Sequence, residues 1–369
     1  MVRRLLYLMG LAVLCVVLYH ASGWSFIALF WWTDRYMPVS VPNFDQLGSV
    51  SYYVLRAVEQ IIIFAIPSFL FVSGFFLAFA TGRNRANVGR DVIFTRVKNL
   101  LIPYLIWSCV LLGLEVILGR NLTLSEFIHI LLTGQATEAY YFIPVLIQLY
   151  LISFLLVPLA RNYWKLVLLL TGLFQLFILL VRYVMILDLD IPALEPFFFL
   201  TSSWLFTSFL FWFALGVVFG FHNSVIKPRL IQFRWFVFAA LIAVFFLGIF
   251  EWEALLQASG KVWIAPEETL IDQIYAGLFL IAFLGFEGAT LPVMKTISQI
   301  GTKSFGVYLV HSLALIYTSK LIYHLTPALL GVQWLFMLIL FATGLGIPLL
   351  LMEITARSPA RRIYSYLFG

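Results

Sequence analysis

His20 closes the apolar stretch "VLCVVLYH" that begins at Val13. An imidazole is suited to taking and returning protons near neutral pH, and an ionisable group inside an apolar helix is costly unless it faces a cavity or a partner. Glu59, in the second apolar run, is an expected partner: a carboxylate bonded to the His20 ring would fix its tautomer and stabilise the imidazolium, as a general base requires. The competing partner for Glu59 is Arg56, three residues earlier on the same helical face, whose charge it would neutralise. His311 stands in a later apolar run, "GVYLVHSLAL", with Tyr308 one turn before it. A substrate contact and a buried histidine bonding between helices both account for His311. The fourth signal is "RNRANVGRDVIFTRVK", residues 83 to 98, which carries Arg83, Arg85, Arg90, Arg96 and Lys98. Such a cluster either anchors a loop to anionic lipid headgroups or clamps a phosphorylated ligand, since Arg forks match phosphate geometry.

The elements that must position these residues follow from composition. Of 369 residues, 63% are hydrophobic and 11% charged, with a mean hydropathy of +1.02, far from the balance of a soluble domain. The apolar runs are continuous rather than alternating in polarity, which excludes a β-barrel and leaves helices as the spanning element. The sequence therefore predicts an all-α, polytopic transmembrane bundle of about ten helices. The expected spans are 5–28, 52–80, 99–118, 141–160, 166–186, 200–221, 235–250, 270–290, 304–324 and 333–353, forming one transmembrane domain over 1–369. Arg3 and Arg4 followed by an apolar run are read as the first permanent helix rather than a cleaved leader.

With an even number of spans, the basic segment 83–98, Arg161 and Lys165, Lys227 to Arg234, Lys295 and Lys303, and Arg357 to Arg362 share one face with Arg3 and Arg4. The positive-inside rule makes that face cytoplasmic, with both termini there, in the inner (plasma) membrane. The net charge of +6 then reports orientation and membrane lipids as partners, and nothing points to nucleic acid. Cys15 and Cys109 fall in apolar runs as small hydrophobes, and no metal-ligand cluster is visible. Thr123 and Glu126 form a capping-box pattern that predicts a short helix at the outer surface. His129, His222 and His324 fall at loops or helix ends as ordinary interfacial residues. Counting from Arg4 at about 1.5 Å per residue puts His20 roughly 24 Å above the cytoplasmic face, level with Glu59. Counting from Lys303 puts His311 only about 12 Å up, level with Ser73 and Gly74, with which it is expected to line a cavity.

Five segments together resemble the acyltransferase-3 family of bacterial membrane acyltransferases: "GLAVLCVVLYH" ending at His20, "IPSFLFVSGFFLAF" (66–79), "FTRVKNLLIPYLIWS" (94–108), "YYFIPVLIQLYLISFLLVPL" (140–159) and "ISQIGTKSFGVYLVHSLAL" (297–315). They occur in family order along nearly the whole chain. The resemblance implies a bundle that takes an acyl group, usually acetyl, from cytoplasmic acyl-CoA and passes it to a hydroxyl of a glycan at or beyond the outer face. It makes His20 the match to the family's catalytic histidine, Arg96 the match to the first arginine of an Arg-x-x-Arg pair, and His311 the match to the histidine that ends a Tyr-Leu-x-His block. Two positions depart from the pattern: Met9 stands where many members have arginine, and Asn99, beside Lys98, replaces the second arginine of the pair.

The expected activity is an acyl-CoA-dependent O-acyltransferase with no metal. Its acceptor would be a glycan, exopolysaccharide or lipid-linked sugar, with polysaccharide-synthesis machinery as a candidate partner. His20, with Glu59, would remove the acceptor's proton, and a covalent acyl-histidine is the open alternative. Arg83, Arg85, Arg90, Arg96 and Lys98 would hold the CoA phosphates, with Tyr308 and His311 along the donor's path. Two other classes compete: a polysaccharide or lipid-sugar exporter whose path is lined by His20, Glu59 and Arg56, and a purely structural partner in a synthase complex.

Overall fold

A computed structural model describes residues 1–32, 41–82, 85–264 and 269–369. Arg83 lies outside them. The described residues form thirteen α-helices joined by short turns and 3-10 segments, with a π-helical turn (Ala28–Trp32) continuing the first: α1 (Val2–Ile27), α2 (Val50–Ile62), α3 (Ala65–Thr81), α4 (Arg90–Ile117), α5 (Leu124–Thr133), α6 (Phe142–Asn162), α7 (Trp164–Ile186), α8 (Leu210–Ser259), α9 (Leu270–Gly285), α10 (Met294–Thr302), α11 (Ser304–Leu325), α12 (Gln333–Arg357) and α13 (Tyr364–Phe368). The fold is all-α. Eight stretches among the described residues are long and apolar enough to cross a membrane, so this is a polytopic protein, as its composition requires.

Several expected spans take a different form. The run 52–80 is two helices that meet at a turn over residues 63–64. Pro67 explains the break: it has no N–H to give the Ile63 carbonyl, and its ring crowds that position. The spans 200–221 and 235–250 fall largely within α8, one 50-residue element interrupted at His222, where φ is −114° and ψ is 18°. Helix does not begin at residue 200, because Gln148 of α6 occupies the backbone of the preceding loop. Its amide donates to the Trp204 carbonyl (2.8 Å) and accepts from the Phe206 N–H (3.3 Å). The run 270–290 contributes the 16-residue helix α9. The expected outer helix is α5, and its capping box forms, with the Glu126 N–H bonded to the Thr123 hydroxyl and the Thr123 N–H to the Glu126 carboxylate. Gly134 ends it at φ +76°, where a side chain would also strike Tyr140 and Tyr141.

The chain divides into two compact units, Met1–Ala65 with Met294–Gly369, and Ile66–Val293. In the second unit α3 crosses α8 through paired glycines. A β-carbon on Gly74 would lie 2.2 Å from the Phe213 carbonyl oxygen, and one on Gly216 would lie 2.0 Å from that of Phe71. Gly74 is therefore a helix-packing residue within this unit.

In the first unit α1 is central and packs against α2, α10, α11 and α12. Leu5, Leu8, Ala12, Val13, Val17 and Ala21 are fully buried along it. Its approach to the C-terminal segment is set by two glycines. A β-carbon on Gly301 would lie 1.9 Å from the Leu6 carbonyl oxygen and 2.9 Å from the Gly10 nitrogen, and one on Gly10 would lie 2.0 Å from the Ile297 carbonyl oxygen. In a bilayer, where lipid tails are as apolar as the side chains, such close backbone approach supplies much of the packing attraction between helices.

From that contact α1 and α11 rise in parallel with one register. Ten residues on from Gly10 and from Gly301 stand His20 and His311, with ring centroids 5.2 Å apart. Twelve residues further stand Trp32 and Tyr323, with centroids 5.3 Å apart. A side chain at residue 301 should therefore unseat the unit: Gly301→Val is expected to lower its stability by about 1–3 kcal/mol through overpacking. Thermal unfolding in detergent checks this against Gly346→Ala, where nothing lies within 4 Å of the added β-carbon and no loss is expected.

Candidate active site

The first unit holds the only intramembrane cluster of expected site residues that meets side chain to side chain among the described residues: His20, His311 and Tyr308. His311 is fully buried and Tyr308 is 4% exposed, whereas His20 is half-buried. The His20 and His311 rings are tilted by 44° to each other, and the Tyr308 ring lies 5.8 Å from that of His311. This corrects the depths expected from residue counting. Arg4, from which the depth of His20 was counted, is itself buried at 7% exposure, so it does not mark a surface from which heights can be measured.

The hydrogen bonds of the two rings differ. His311 Nδ1 lies 2.6 Å from the Tyr308 carbonyl oxygen. A carbonyl only accepts, so Nδ1 carries a proton, and the neutral ring keeps its lone pair on Nε2. The Ser312 hydroxyl lies 3.4 Å from that Nε2. His20 makes no side-chain hydrogen bond among the described residues; its contacts are the edge of Tyr19, at 5.4 Å between centroids, and the His311 ring. Its nitrogens are thus available to a substrate.

The expected bond between His20 and Glu59 is not formed. Glu59, 3% exposed, is paired with the fully buried Arg56 at 2.7 Å and accepts from the Ser22 hydroxyl at 3.4 Å. The same hydroxyl lies closer, at 2.7 Å, to the Tyr19 carbonyl, so its single proton is shared between the two acceptors. Residues 20 and 22 are about 200° apart around a helix, so the carboxylate that reaches Ser22 approaches a different face of α1 from the one that carries the imidazole. Ser22 and Ser312 are the polar neighbours that reading the sequence passed over. The available signal was a serine within two residues of each intramembrane histidine.

The basic segment belongs to the second unit. Arg85, Arg90 and Lys98 are exposed and make no ion pair among the described residues. The Arg85 carbonyl accepts from Arg161, which also donates to the Gly82 carbonyl at 2.6 Å, so this part of the loop is tied to the end of α6. Arg96 is half-buried: it donates to the Tyr150 hydroxyl at 3.2 Å and to the Phe76 carbonyl at 3.1 Å, with its guanidinium 5.4 Å from the Tyr150 ring centre. It joins α3, α4 and α6 while keeping N–H groups for a ligand. His222, at the break in α8, places Nε2 3.1 Å from the carbonyls of Ala160 and Arg161, and so satisfies carbonyls that the end of α6 would leave open.

The arrangement resembles no solved structure closely enough to register as a match. Among curated proteins, the chain is 26% identical over 261 residues, 70% of its own length and 71% of theirs, to proteins from Staphylococcus aureus strains MSSA476 and N315 described as probable poly-beta-1,6-N-acetyl-D-glucosamine export proteins. The family of acyltransferase domains matches residues 4–353, a stretch that takes in His20, Glu59, the basic segment, Tyr308 and His311. This chain, a multi-pass protein of the plasma membrane, belongs to the acyltransferase-3 family.

Proposed function

We propose that the protein is a membrane O-acyltransferase that moves an acyl group, acetyl in the simplest case, from cytoplasmic acyl-CoA to a hydroxyl of an extracytoplasmic glycan, with both chain termini in the cytoplasm. The observation that carries this reading is the half-buried imidazole of His20, free of hydrogen bonds and set beside His311 within a family of acyltransferases. In the proposed reaction a neutral His20 nitrogen takes the proton of the acceptor hydroxyl as its oxygen attacks the thioester carbonyl. A C–O bond forms, the C–S bond breaks, and the departing CoA thiolate recovers the proton from the imidazolium. Arg83, Arg85, Arg90, Arg96 and Lys98 are the proposed contacts for the CoA phosphates: Arg85, Arg90 and Lys98 are exposed and make no ion pair among the described residues, and such cationic groups suit that ligand. The acyl-pantetheine end is proposed to reach the level of Tyr308 and His311. The relatives are named for export of poly-β-1,6-N-acetyl-D-glucosamine, and that polymer is the acceptor proposed here, with polysaccharide-synthesis machinery as proposed partners.

Those names also favour a second reading, export of the polymer without acyl transfer. The two readings separate in cells that produce the polymer. Under acyl transfer, His20→Ala leaves protein abundance and polymer export intact and removes ester groups from the polymer, as mass spectrometry of the surface glycan would detect. Esters at wild-type level in that variant would rule out His20 as the base, and unmodified polymer trapped inside the cell would favour the exporter.

Glu59 is proposed to serve the site by fixing α1 through Ser22 while neutralising Arg56. Loss of one partner of a buried ion pair leaves a bare charge, so Glu59→Gln is expected to cost about 3–5 kcal/mol of stability. The double variant Arg56→Gln/Glu59→Gln should cost less than the sum of the single changes in a thermal-unfolding cycle. Additive losses would mean that the two residues act independently.

A further inference from the structure

We infer that His311 is the positioning residue for His20, accepting a hydrogen bond on Nε2 from the ring N–H of His20 while the other His20 nitrogen works on the substrate. The inference rests on the acyl-transfer reading of the same site and assigns to His311 the part that the sequence suggested for Glu59. A base that takes a proton on one ring nitrogen needs an acceptor at the other, to hold the tautomer and to stabilise the cation that forms. Glu59 is committed to Arg56 and Ser22. His311 has the required polarity. Its Nδ1 proton is held by the Tyr308 carbonyl at 2.6 Å, so its Nε2 is an acceptor; the Ser312 hydroxyl, at a long 3.4 Å, is its one recorded partner and turns away when the His20 N–H closes on that nitrogen.

The distance also fits. An imidazole nitrogen lies about 1.1 Å from its ring centre, so centroids 5.2 Å apart allow facing nitrogens to approach to about 3 Å after ring rotation, within hydrogen-bond range. Catalytic hydrogen bonds are commonly open without substrate and close in the reactive complex. Full burial of His311 and partial exposure of His20 match the division of labour, with the inner ring fixed and the outer ring meeting substrate. The paired glycines Gly10 and Gly301 hold the two rings at one level.

The test uses the full-length protein in lipid nanodiscs, with acetyl-CoA and a β-1,6-linked N-acetylglucosamine oligomer, and measures kcat and the KM for acetyl-CoA. A glutamine amide reaches the position of a histidine Nε2, an asparagine amide only that of Nδ1, and methionine fills the space without a useful acceptor. The expected result is that His311→Gln stays within a few-fold of wild-type kcat. His311→Asn and His311→Met should each lose about 100-fold in kcat, the scale of a general base's contribution, with KM little changed. Met or Asn turning over as fast as Gln would overturn the assignment, as would equal loss in all three. Should Met fail to fold, the Gln and Asn pair decides the question alone. A wild type that forms no ester would overturn the acyl-transfer reading and this inference with it, whereas an active wild type with indifferent variants overturns the inference only.

Discussion

The absence of a side chain at Gly10 and Gly301 lets the backbones of α1 and the C-terminal segment touch, and that contact sets the level of everything above it. Helices in lipid gain little from excluding water, so they associate where backbones come close and dispersion contacts are dense. From the contact between residues 10 and 301, α1 and, after the turn at Lys303, α11 run side by side. The histidines at 20 and 311 meet ten residues on from that contact, and the aromatic pair Trp32 and Tyr323 meets twelve residues further on.

Polar groups inside such a unit must find partners, and their partners sort them by role. Arg56 and Glu59 meet each other, with Ser22 bonded to the carboxylate, so the two charges are neutralised as they are buried. His311 is anchored through Nδ1 to the backbone of its own helix. His20 alone among these groups keeps its side-chain nitrogens uncommitted among the described residues, and it is the only one of the five half-open to its surroundings. A group left in that state in an apolar layer is costly unless something binds it.

Much of this was legible in the sequence. Composition and continuous apolar runs required a polytopic helical protein, and the ordered segments ending at His20 and His311 pointed to the family that the whole-chain match identifies. The capping box of α5 was written in Thr123 and Glu126, whereas 52–80 was read as one span although Pro67 carries the signal for the break before α3. What failed were inferences that needed a common origin between distant segments. Depth counted from Arg4 separated two histidines that are neighbours, because a cation near a chain start is a poor surface marker when it packs inside. The pairing of Glu59 with His20 failed for a rotational reason: similar depth says nothing about which face of α1 a neighbour meets, and the carboxylate met Ser22. The 3-10 segments before α8 were hidden because their cause, Gln148, lies more than fifty residues away in the chain.

An acyltransferase and an exporter differ in what they consume, and that difference bears on the central claim more directly than any substitution. Purified protein in sealed proteoliposomes, given acetyl-CoA on the cytoplasmic side and the oligosaccharide acceptor on the other, offers both activities a substrate. The account predicts CoA thiol released on the donor side in equal measure to acetyl ester gained by the acceptor. Glycan crossing the bilayer with no acetyl-CoA consumed and no ester formed would contradict it.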